Sequence, residues 1–245
     1  KSIHAYIVQK NSGLNAEGGS YAPVWMDEKT LWFTSTRPQG AESNNNNNNR
    51  IYQADYSSGT TGAISITNIP QPSELQQGVV SPSPFGNTLY LTRWDKTKVK
   101  RTAPIFVSKK VNGNWAEPTI VTALEAAGSN TQQPFVMPDG KNILFSSDRA
   151  GGLGGFDLWM SPIDEMGNVG APVNMGAGIN TSFDEQAPSY HAASKTLVFS
   201  TNGRVGMGGY DFFYCKGPLE NFSEPKNFGY PVNSPKDELF FTSKG

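Results

Sequence analysis

Carboxylates are the residues of this sequence best suited to acid–base chemistry, and adjacent pairs such as Asp27-Glu28 and Asp184-Glu185 occur among them. Hydrolysis of a glycosidic bond needs two carboxyl groups about 5 to 10 Å apart across the scissile bond. Because successive side chains of a strand point to opposite faces, neither adjacent pair suits that geometry. The sequence therefore predicts a protein that is not an enzyme.

Histidine and cysteine are scarce, which limits other catalytic and metal-binding chemistry. The chain contains two histidines, His4 and His191, and a single cysteine, Cys215. These counts exclude an intrachain disulfide and disfavour a multi-histidine metal site, so no metal and no cofactor is predicted. We interpret the histidines as structural or solvent-facing, and Cys215, among aromatic residues, as a small buried apolar side chain.

Two glycine-rich loops, residues 151–155 and 203–209, resemble phosphate cradles in composition. A cradle needs the N-terminus of a following helix, whereas an aromatic strand follows each of these loops. The glycines are therefore predicted to permit turns, and the aspartates that begin the next strands to accept hydrogen bonds from the loop backbone. The residues given this structural role are Asp157, Asp211, Gly154, Gly155, Gly208 and Gly209.

Basic residues recur after equivalent strands and are candidates for contacts with a partner. Guanidinium groups suit carboxylate or phosphate ligands, although local pairing with acids such as Asp148 and Asp95 is the alternative. One copy carries a tryptophan where others have a glycine-rich loop, and tryptophan often anchors interfaces. The candidate partner-binding residues are Arg37, Arg93, Trp94, Arg149 and Arg204, with Lys244 as a looser basic position. The other tryptophans, Trp25, Trp32, Trp115 and Trp159, are predicted to lie in the core.

The composition indicates short strands joined by many turns. Of 245 residues, 17% are charged, while 26 are glycine and 17 are proline. The 20 basic and 21 acidic residues give a net charge of −1, which disfavours a nucleic-acid partner. No apolar run is long enough for a transmembrane helix, and the first residues lack the layout of a signal peptide. The run Asn44–Asn49 is interpreted as a mobile surface loop.

A repeat of about 50 residues is the strongest signal, and this period is typical of propeller blades. Each copy contains an apolar strand that ends in serine or threonine, at residues 31–35, 89–92, 143–147, 197–201 and 239–243. A tight turn precedes it, and further upstream lie the predicted innermost strands, at residues 21–25, 79–82, 133–136 and 187–190.

We therefore expect an all-β protein, a β-propeller of about five blades of four-stranded antiparallel sheet. The predicted single domain spans residues 1–245, with repeats near 16–72, 73–126, 127–178 and 179–229. A closing blade is predicted from residues 230–245 together with 1–15, where residues 4–9 supply an additional strand. In an alternative register, residue 239 begins an innermost strand, because Asn233 to Glu238 repeats the spacing of Asn180 to Glu185.

The third and fourth copies resemble the PD-type, WD-repeat-like units of TolB-like propellers. The resemblance lies in residues 137–141, 147–149 and 151–159, and in residues 206–211 of the fourth copy. The connectors at residues 179–181 and 232–234 resemble those of Bacteroidetes propellers that accompany OmpA-like domains. The resemblance implies a periplasmic or outer-membrane location and a role in protein contacts. Copies one and two depart from this pattern.

The function predicted is a non-enzymatic scaffold that binds a protein or peptide through loops at the propeller rim. Two alternatives stay open. A glycan- or peptidoglycan-binding module predicts exposed aromatic platforms beside the basic rim. A glycoside hydrolase predicts acidic residues from different blades that converge in the central channel.

Overall fold

The computed structural model describes residues 11, 13–38, 48–95, 97 and 102–244, and its regular structure is almost entirely β-strand. One turn of 3-10 helix, Thr122–Leu124, is the exception among these residues. The first four strands are β1 (Ser20–Trp25), β2 (Thr30–Ser35), β3 (Arg50–Asp55) and β4 (Ile64–Ile66). The next five are β5 (Leu75–Pro82), β6 (Thr88–Asp95), β7 (Ile105–Val111), β8 (Asn114–Trp115) and β9 (Thr119–Ile120).

The second half of the chain repeats this order. Its strands are β10 (Thr131–Val136), β11 (Asn142–Ser147), β12 (Asp157–Pro162), β13 (Val173–Asn174), β14 (Glu185–His191), β15 (Thr196–Thr201), β16 (Asp211–Lys216) and β17 (Lys226–Asn227). All neighbouring strands pair antiparallel. The strands form four sheets, which we name blade 1 (β1–β4), blade 2 (β5–β9), blade 3 (β10–β13) and blade 4 (β14–β17). The all-β propeller prediction is therefore confirmed.

The predicted number of blades was wrong, because the described residues form four sheets and not five. Residues 239–243 match the pattern of a second strand, but they pair with no strand in the described part of the chain. They form an extended segment, residues 238–244, that lies between blades 4 and 1. Phe241 contacts Phe212 of blade 4, and Phe240 contacts Tyr21 of blade 1 at a centroid distance of 5.5 Å. The strand predicted at residues 4–9 lies outside the described residues.

The contacts that precede this segment resemble those before an innermost strand, as in the alternative register, although residues 239–243 form no strand. Asn233 bonds to the backbone N–H and C=O of Phe212, as Asn180 does to those of Leu158. Phe240 has a φ of 65°, and a non-glycine residue of positive φ also occurs at the equivalent point of every innermost strand. The sequence of this segment thus matches two strand patterns, and in the structure it forms neither strand.

A bulge with this positive φ interrupts each innermost strand, at Ala22, Val79, Gln133 and Ala187. In blades 2, 3 and 4 the bulged N–H turns toward the preceding blade. That of Val79 donates to Thr34 Oγ1 at 2.9 Å, and that of Gln133 donates to Thr92 Oγ1 at 2.9 Å. Because β-bulges re-aim the chain locally, they join adjacent blades here by side-chain hydrogen bonds.

The core lies between neighbouring blades. Trp32 and Ile51 of blade 1 pack with Leu89 and Leu91 of blade 2. Blades 2 and 3 enclose a second cluster, and blades 3 and 4 a third around Leu158 and Phe199. A blade cannot bury both of its faces alone, so the stacked order of the sheets follows from burial of apolar surface. Within the described residues, no helix is both long and apolar enough to cross a bilayer.

Candidate functional site

Four arginines at the rim predicted from the sequence bond to connectors between blades. The guanidinium Nη2 of Arg37 donates to Leu14 O at 3.0 Å, and that of Arg149 donates to Leu124 O at 2.7 Å. The other two arginines make the same kind of bond, Arg93 to Pro70 O and Arg204 to Ile179 O, each at 3.0 Å. Each acceptor lies 23 to 25 residues before its arginine, in the chain that enters the same blade.

Arg149 illustrates the full set of these contacts, and Arg37 makes an equivalent set. Its Nε donates to Ser147 Oγ at 3.0 Å and its Nη2 to Thr131 Oγ1 at 2.9 Å. The guanidinium also lies over the rings of Phe145 and Trp159, at 5.1 and 5.3 Å from their centroids. Burial lowers the pKa of Arg149, and Asp148 offsets part of that effect.

Arg93 is buried, and its Nη1 forms an ion pair of 2.5 Å with the exposed carboxylate of Glu117. Its Nε donates to Gln77 Oε1 at 2.9 Å. Arg204 lacks a hydrogen-bond acceptor for its buried Nε in the part of the chain that the structure describes. The donors of these arginines are therefore directed mainly into the protein. The recurrent acceptors are carbonyl oxygens of the connectors, and not the acidic side chains expected from the sequence.

The glycine-rich loops fold onto the aspartates that follow them. Asp157 accepts hydrogen bonds from the N–H of Leu153 at 2.6 Å and of Gly154 at 3.1 Å. Asp211 accepts equivalent bonds from Met207 and Gly208, at 2.9 and 3.1 Å. The loop amides that could hold an anion are thus bonded to a carboxylate of the chain itself.

Close packing explains the glycines at the loop ends. A Cβ on Gly154 would overlap the carbonyl oxygen of Phe183, and one on Gly208 would overlap that of Lys236. A Cβ on Gly155 or Gly209 would overlap a carboxylate, that of Asp184 or Asp237 respectively, and each of these aspartates directly precedes the next innermost segment. Each loop therefore packs against the next connector.

A narrow constriction divides the central channel. A cavity of about 50 Å³ remains there, lined mainly by Ala22, Val79, Pro134, Ala187 and Phe240 with their neighbours. On one side lies the loop-side mouth, a cavity of about 310 Å³ next to the loops that follow the second strands. On the other side lies the turn-side mouth, a cavity of about 690 Å³ bordered by the hairpin turns.

Trp94 lines the loop-side mouth because blade 2 has a longer first hairpin. β5 and β6 contain eight residues each, whereas β1, β2, β10 and β11 contain six. The extension places Trp94 opposite Gln76, one residue beyond Arg93. The residues that line the mouth are Tyr21, Val79, Thr92, Trp94, Thr102, Ala103, Asn130, Gln132, Gln133 and Phe240.

Most polar groups of the loop-side mouth are engaged within the protein. Tyr21 donates its hydroxyl to Asn49 Oδ1 at 2.6 Å, and burial raises its pKa to about 12. Asn130 accepts from Ala103 N and donates to Asp148, and Gln133 bonds to Gln186. Asn49, the last residue of the asparagine run, bonds to Gln76, whereas residues 44–47 lie outside the described residues.

The turn-side mouth combines aromatic rings with a few charges. Trp25 packs edge-on against Tyr56, and the ammonium of Lys244 lies 4.2 Å from the centroid of the Trp25 ring. His191 Nδ1 is 2.7 Å from Ser194 Oγ. Asp27 is the single acidic residue among the described residues that line either mouth or the constriction.

A buried carboxylate occurs away from both mouths, at Glu185. It accepts hydrogen bonds from Thr181 N at 2.8 Å and from Thr201 Oγ1 at 2.6 Å. Burial raises its pKa, although those hydrogen bonds act in the opposite direction. Because its oxygens are enclosed by its own blade, this group does not face a cavity. The described residues contain no cluster of three or more residues able to bind a metal.

Three of the four tryptophans predicted for the core, Trp32, Trp115 and Trp159, are buried. Trp25 is only half-buried, and it borders the turn-side mouth. Cys215 is fully buried, and its environment raises the pKa of its thiol to about 11. His4 lies outside the described residues.

No protein-family model and no curated protein sequence matches the chain. Among solved structures, TolB from Acinetobacter baumannii is similar, with a TM-score of 0.51 and 21% identity, over 91% of this chain and 45% of that one. The endo-arabinase from Bacteroides thetaiotaomicron has a TM-score of 0.55 and 16% identity, over 85% of this chain and 80% of the enzyme. The α-L-arabinofuranosidase from Lactobacillus brevis also has a TM-score of 0.55, with 9% identity over 84% and 73% of the two chains.

These comparisons bear on the fold alone, because every identity is below one quarter. This chain spans less than half of the TolB chain that it matches. The similar structures include TolB as well as an endo-arabinase and an arabinofuranosidase. What the geometry and the comparisons establish together is a four-bladed β-propeller with structural neighbours of the TolB type.

Proposed function

We infer that this propeller is a non-catalytic scaffold that binds a protein or peptide at its loop-side mouth. The observation that carries this inference is the lining of that mouth, where Trp94 stands on an extended hairpin beside other aromatic and amide side chains. Aromatic residues bury a large area at a small entropic cost, so they often anchor protein interfaces.

The position of the mouth supports the same function. Residues from the innermost strands of blades 1, 2 and 3 line it, together with the 238–244 segment. A ligand there would contact several rigid elements at once, which favours specific binding. In this proposal, the arginines act indirectly, because Arg37 and Arg149 fix the connectors that enter blades 1 and 3.

Glycan binding or glycan hydrolysis is the second candidate function, and the observation that favours it is the fold shared with the endo-arabinase. Hydrolysis by the usual mechanism needs a pair of carboxyl groups about 5 to 10 Å apart. Asp27 at the turn-side mouth has no acidic partner among the described residues that line the channel. This lining supports a binding role over catalysis.

A bacterial envelope location forms part of the proposal. Its support is the PD-type sequence pattern of copies three and four, together with the likeness in fold to TolB. Association with an OmpA-like, peptidoglycan-binding partner follows from the same sequence resemblance.

Quantitative cross-linking in envelope extract tests the scaffold function. The wild-type protein should capture a reproducible partner, and Trp94→Ala should reduce its recovery severalfold. Phe85→Ala is the matched control, because Phe85 is an exposed aromatic residue of the same blade on the turn side. Equal recovery with Trp94→Ala and wild type would reject this site.

An activity assay tests the second candidate. Purified protein is incubated with linear arabino-oligosaccharides, and the products are separated by chromatography. The scaffold proposal predicts intact substrate. Release of arabinose that Asp27→Asn abolishes would instead assign hydrolysis to the turn-side mouth.

A further inference from the structure

A groove between blades 2 and 3 opens on the turn side, away from the loop-side mouth. The described residues that line it include none of those that line the loop-side mouth. Its volume of about 790 Å³ lies within the usual range of small-molecule sites. The first hairpin turns of the two blades border it, at residues 83–85 and 139–141, together with the turn at residues 163–167 of blade 3. We name it the inter-blade groove.

A buried phenol, that of Tyr90, lines the deepest part of this groove. Tyr90 is 2% exposed and belongs to the apolar cluster between the two blades, with Val136 beside it. Its hydroxyl has no hydrogen-bond partner among the described residues. Buried polar groups are normally satisfied, so this free hydroxyl points to a ligand in the groove. Burial raises the pKa of Tyr90, so the phenol keeps its proton at neutral pH and can donate.

The blade repeat does not account for the hydroxyl of Tyr90. Tyr90 is the third residue of β6, the second strand of blade 2. The third residues of the second strands in the other blades are Trp32, Leu144 and Val198. These side chains fill the same place without a hydroxyl group. Packing therefore explains an apolar body at this position, but not the O–H at its end.

Two lysines of the lining, one from each blade, have no ion pair in the described part of the chain. Lys109 pairs with Thr88, two residues from Tyr90 in β6, so these side chains share the face that turns toward blade 3. Lys141 follows the first hairpin turn of blade 3, on the other side of the groove. The two ammonium groups are therefore available to an anion bound near the phenol.

Acidic side chains also line the groove, and they equal the basic ones in number, three against three. None of them pairs with either lysine within the residues that the structure describes. Asp164 accepts three hydrogen bonds from its own turn, and Asp139 accepts one from the N–H of Lys141. Glu165 is the remaining acid. Because two of the three carboxylates are held by their own turns, the lysines are left for an anionic group of a ligand.

The rim of the groove is apolar. Phe85 stands on the hairpin turn of blade 2 and Met166 on the turn of blade 3, and both side chains are largely exposed. An aromatic ring bound between them would make a ring–ring contact on one side and a sulfur–ring contact on the other. The rim therefore favours a ligand with an aromatic group.

We propose that the inter-blade groove binds a small carboxylate that carries an aromatic ring. The carboxylate accepts a hydrogen bond from the Tyr90 hydroxyl and lies between the ammonium groups of Lys109 and Lys141. The ring lies between Phe85 and Met166. Hydrogen bonds to an ionised group are about twice as strong as neutral ones, so the site prefers the carboxylate to an amide of the same shape.

Phenylpropionate, phenylpropionamide and phenylpropylamine are suitable probes, because they share one body and differ in charge. Binding is followed by titration of the whole protein in amide N–H correlation spectra. Phenylpropionate should shift signals of β6, β7 and the two hairpin turns saturably, with an affinity about tenfold higher than that of the amide. The amine should not bind. Added salt should weaken binding of the carboxylate.

Two variants and a control assign the binding to the groove. Tyr90→Phe removes only the hydroxyl, so it should weaken phenylpropionate binding about tenfold and leave the urea midpoint unchanged. Lys141→Ala should weaken binding severalfold. Lys29→Ala is the matched control and should bind as wild type does. The N–H of Lys29 bonds to Asp27 in the first hairpin turn of blade 1, as that of Lys141 does to Asp139 in blade 3.

Three outcomes would overturn the inference. The first is the absence of saturable binding of phenylpropionate, or equal affinity for the carboxylate and the amide. The second is tighter binding of the amine, which would show that the acids of the lining determine the charge preference. The third is unchanged affinity of Tyr90→Phe. None of these results bears on the scaffold function, because that function is tested by Trp94→Ala at the loop-side mouth.

Discussion

Replacement of Arg149 by alanine should destabilise the propeller, because this side chain ties the connector between blades 2 and 3 to its own blade. The change removes hydrogen bonds to Leu124 O, Thr131 Oγ1 and Ser147 Oγ, and two ring contacts. A hydrogen bond to a charged group contributes about 1.5 to 3 kcal/mol. Since Arg149 is only partly buried, water replaces some of these bonds. We therefore expect a loss of about 3 kcal/mol, equal to two such bonds at the lower limit.

Urea unfolding followed by tryptophan fluorescence measures this loss. Arg149→Lys should recover about half of it, because an ammonium group keeps the charge but not the planar fork. Lys141→Ala is the control, since this exposed lysine forms no ion pair in the described part of the chain. It should change the free energy of unfolding by less than about 0.5 kcal/mol.

A structural role of Arg149 and a direct contact of Arg149 with a partner predict different results for Arg149→Ala. A bond to the connector predicts a lower urea midpoint for Arg149→Ala, with or without a ligand. If Arg149→Ala unfolded at the wild-type midpoint but captured less partner, a direct contact with the partner would replace the structural explanation.

Three further predictions concern a loop, a carboxylate and a thiol. Gly154→Ala should lower the melting temperature strongly, because the new Cβ would overlap the carbonyl oxygen of Phe183. Gly178→Ala is the control and should not lower it, because the space around Gly178 is open. Equal melting temperatures of the two variants would disprove the packing argument. Burial raises the pKa of Glu185 above 4.5, so the folded state binds more protons than the unfolded chain just above that pH. The contribution of Glu185 to the free energy of unfolding should fall as pH rises through this window, and Glu185→Gln should remove that part of the pH profile. A profile that Glu185→Gln leaves unchanged would contradict this. Cys215 should react with a disulfide reagent only after denaturation, because burial raises the pKa of its thiol to about 11. Rapid reaction in the folded protein would show that the reagent reaches the thiol and would contradict this prediction.

The blade architecture could be predicted because its signals are local. Aromatic strands that end in serine or threonine, with turns before them, recur through the sequence and correspond to β2, β6, β11 and β15. The number of blades depends on a non-local fact, whether residues 239–243 have a partner strand. Their composition matches a second strand, while Asn233 and the spacing that follows it match the approach to a first strand.

The contacts of the arginines could not be predicted for a related reason. The acceptors are backbone carbonyl oxygens. Because every residue has one, the residue type at a position does not show that its carbonyl is an acceptor. The constant interval of 23 to 25 residues between acceptor and arginine is visible only once the acceptors are known. Trp94 could be identified as a candidate from the sequence alone, because a tryptophan stands there where other copies of the repeat have a glycine-rich loop.

The constriction in the channel has a consequence for how the two faces communicate. Its cavity of about 50 Å³ is far smaller than the roughly 300 Å³ at the lower limit of ligand pockets. The constriction itself therefore offers no room to bind a peptide or sugar segment. Ligands of the two mouths would each be held on their own side, without competing for space.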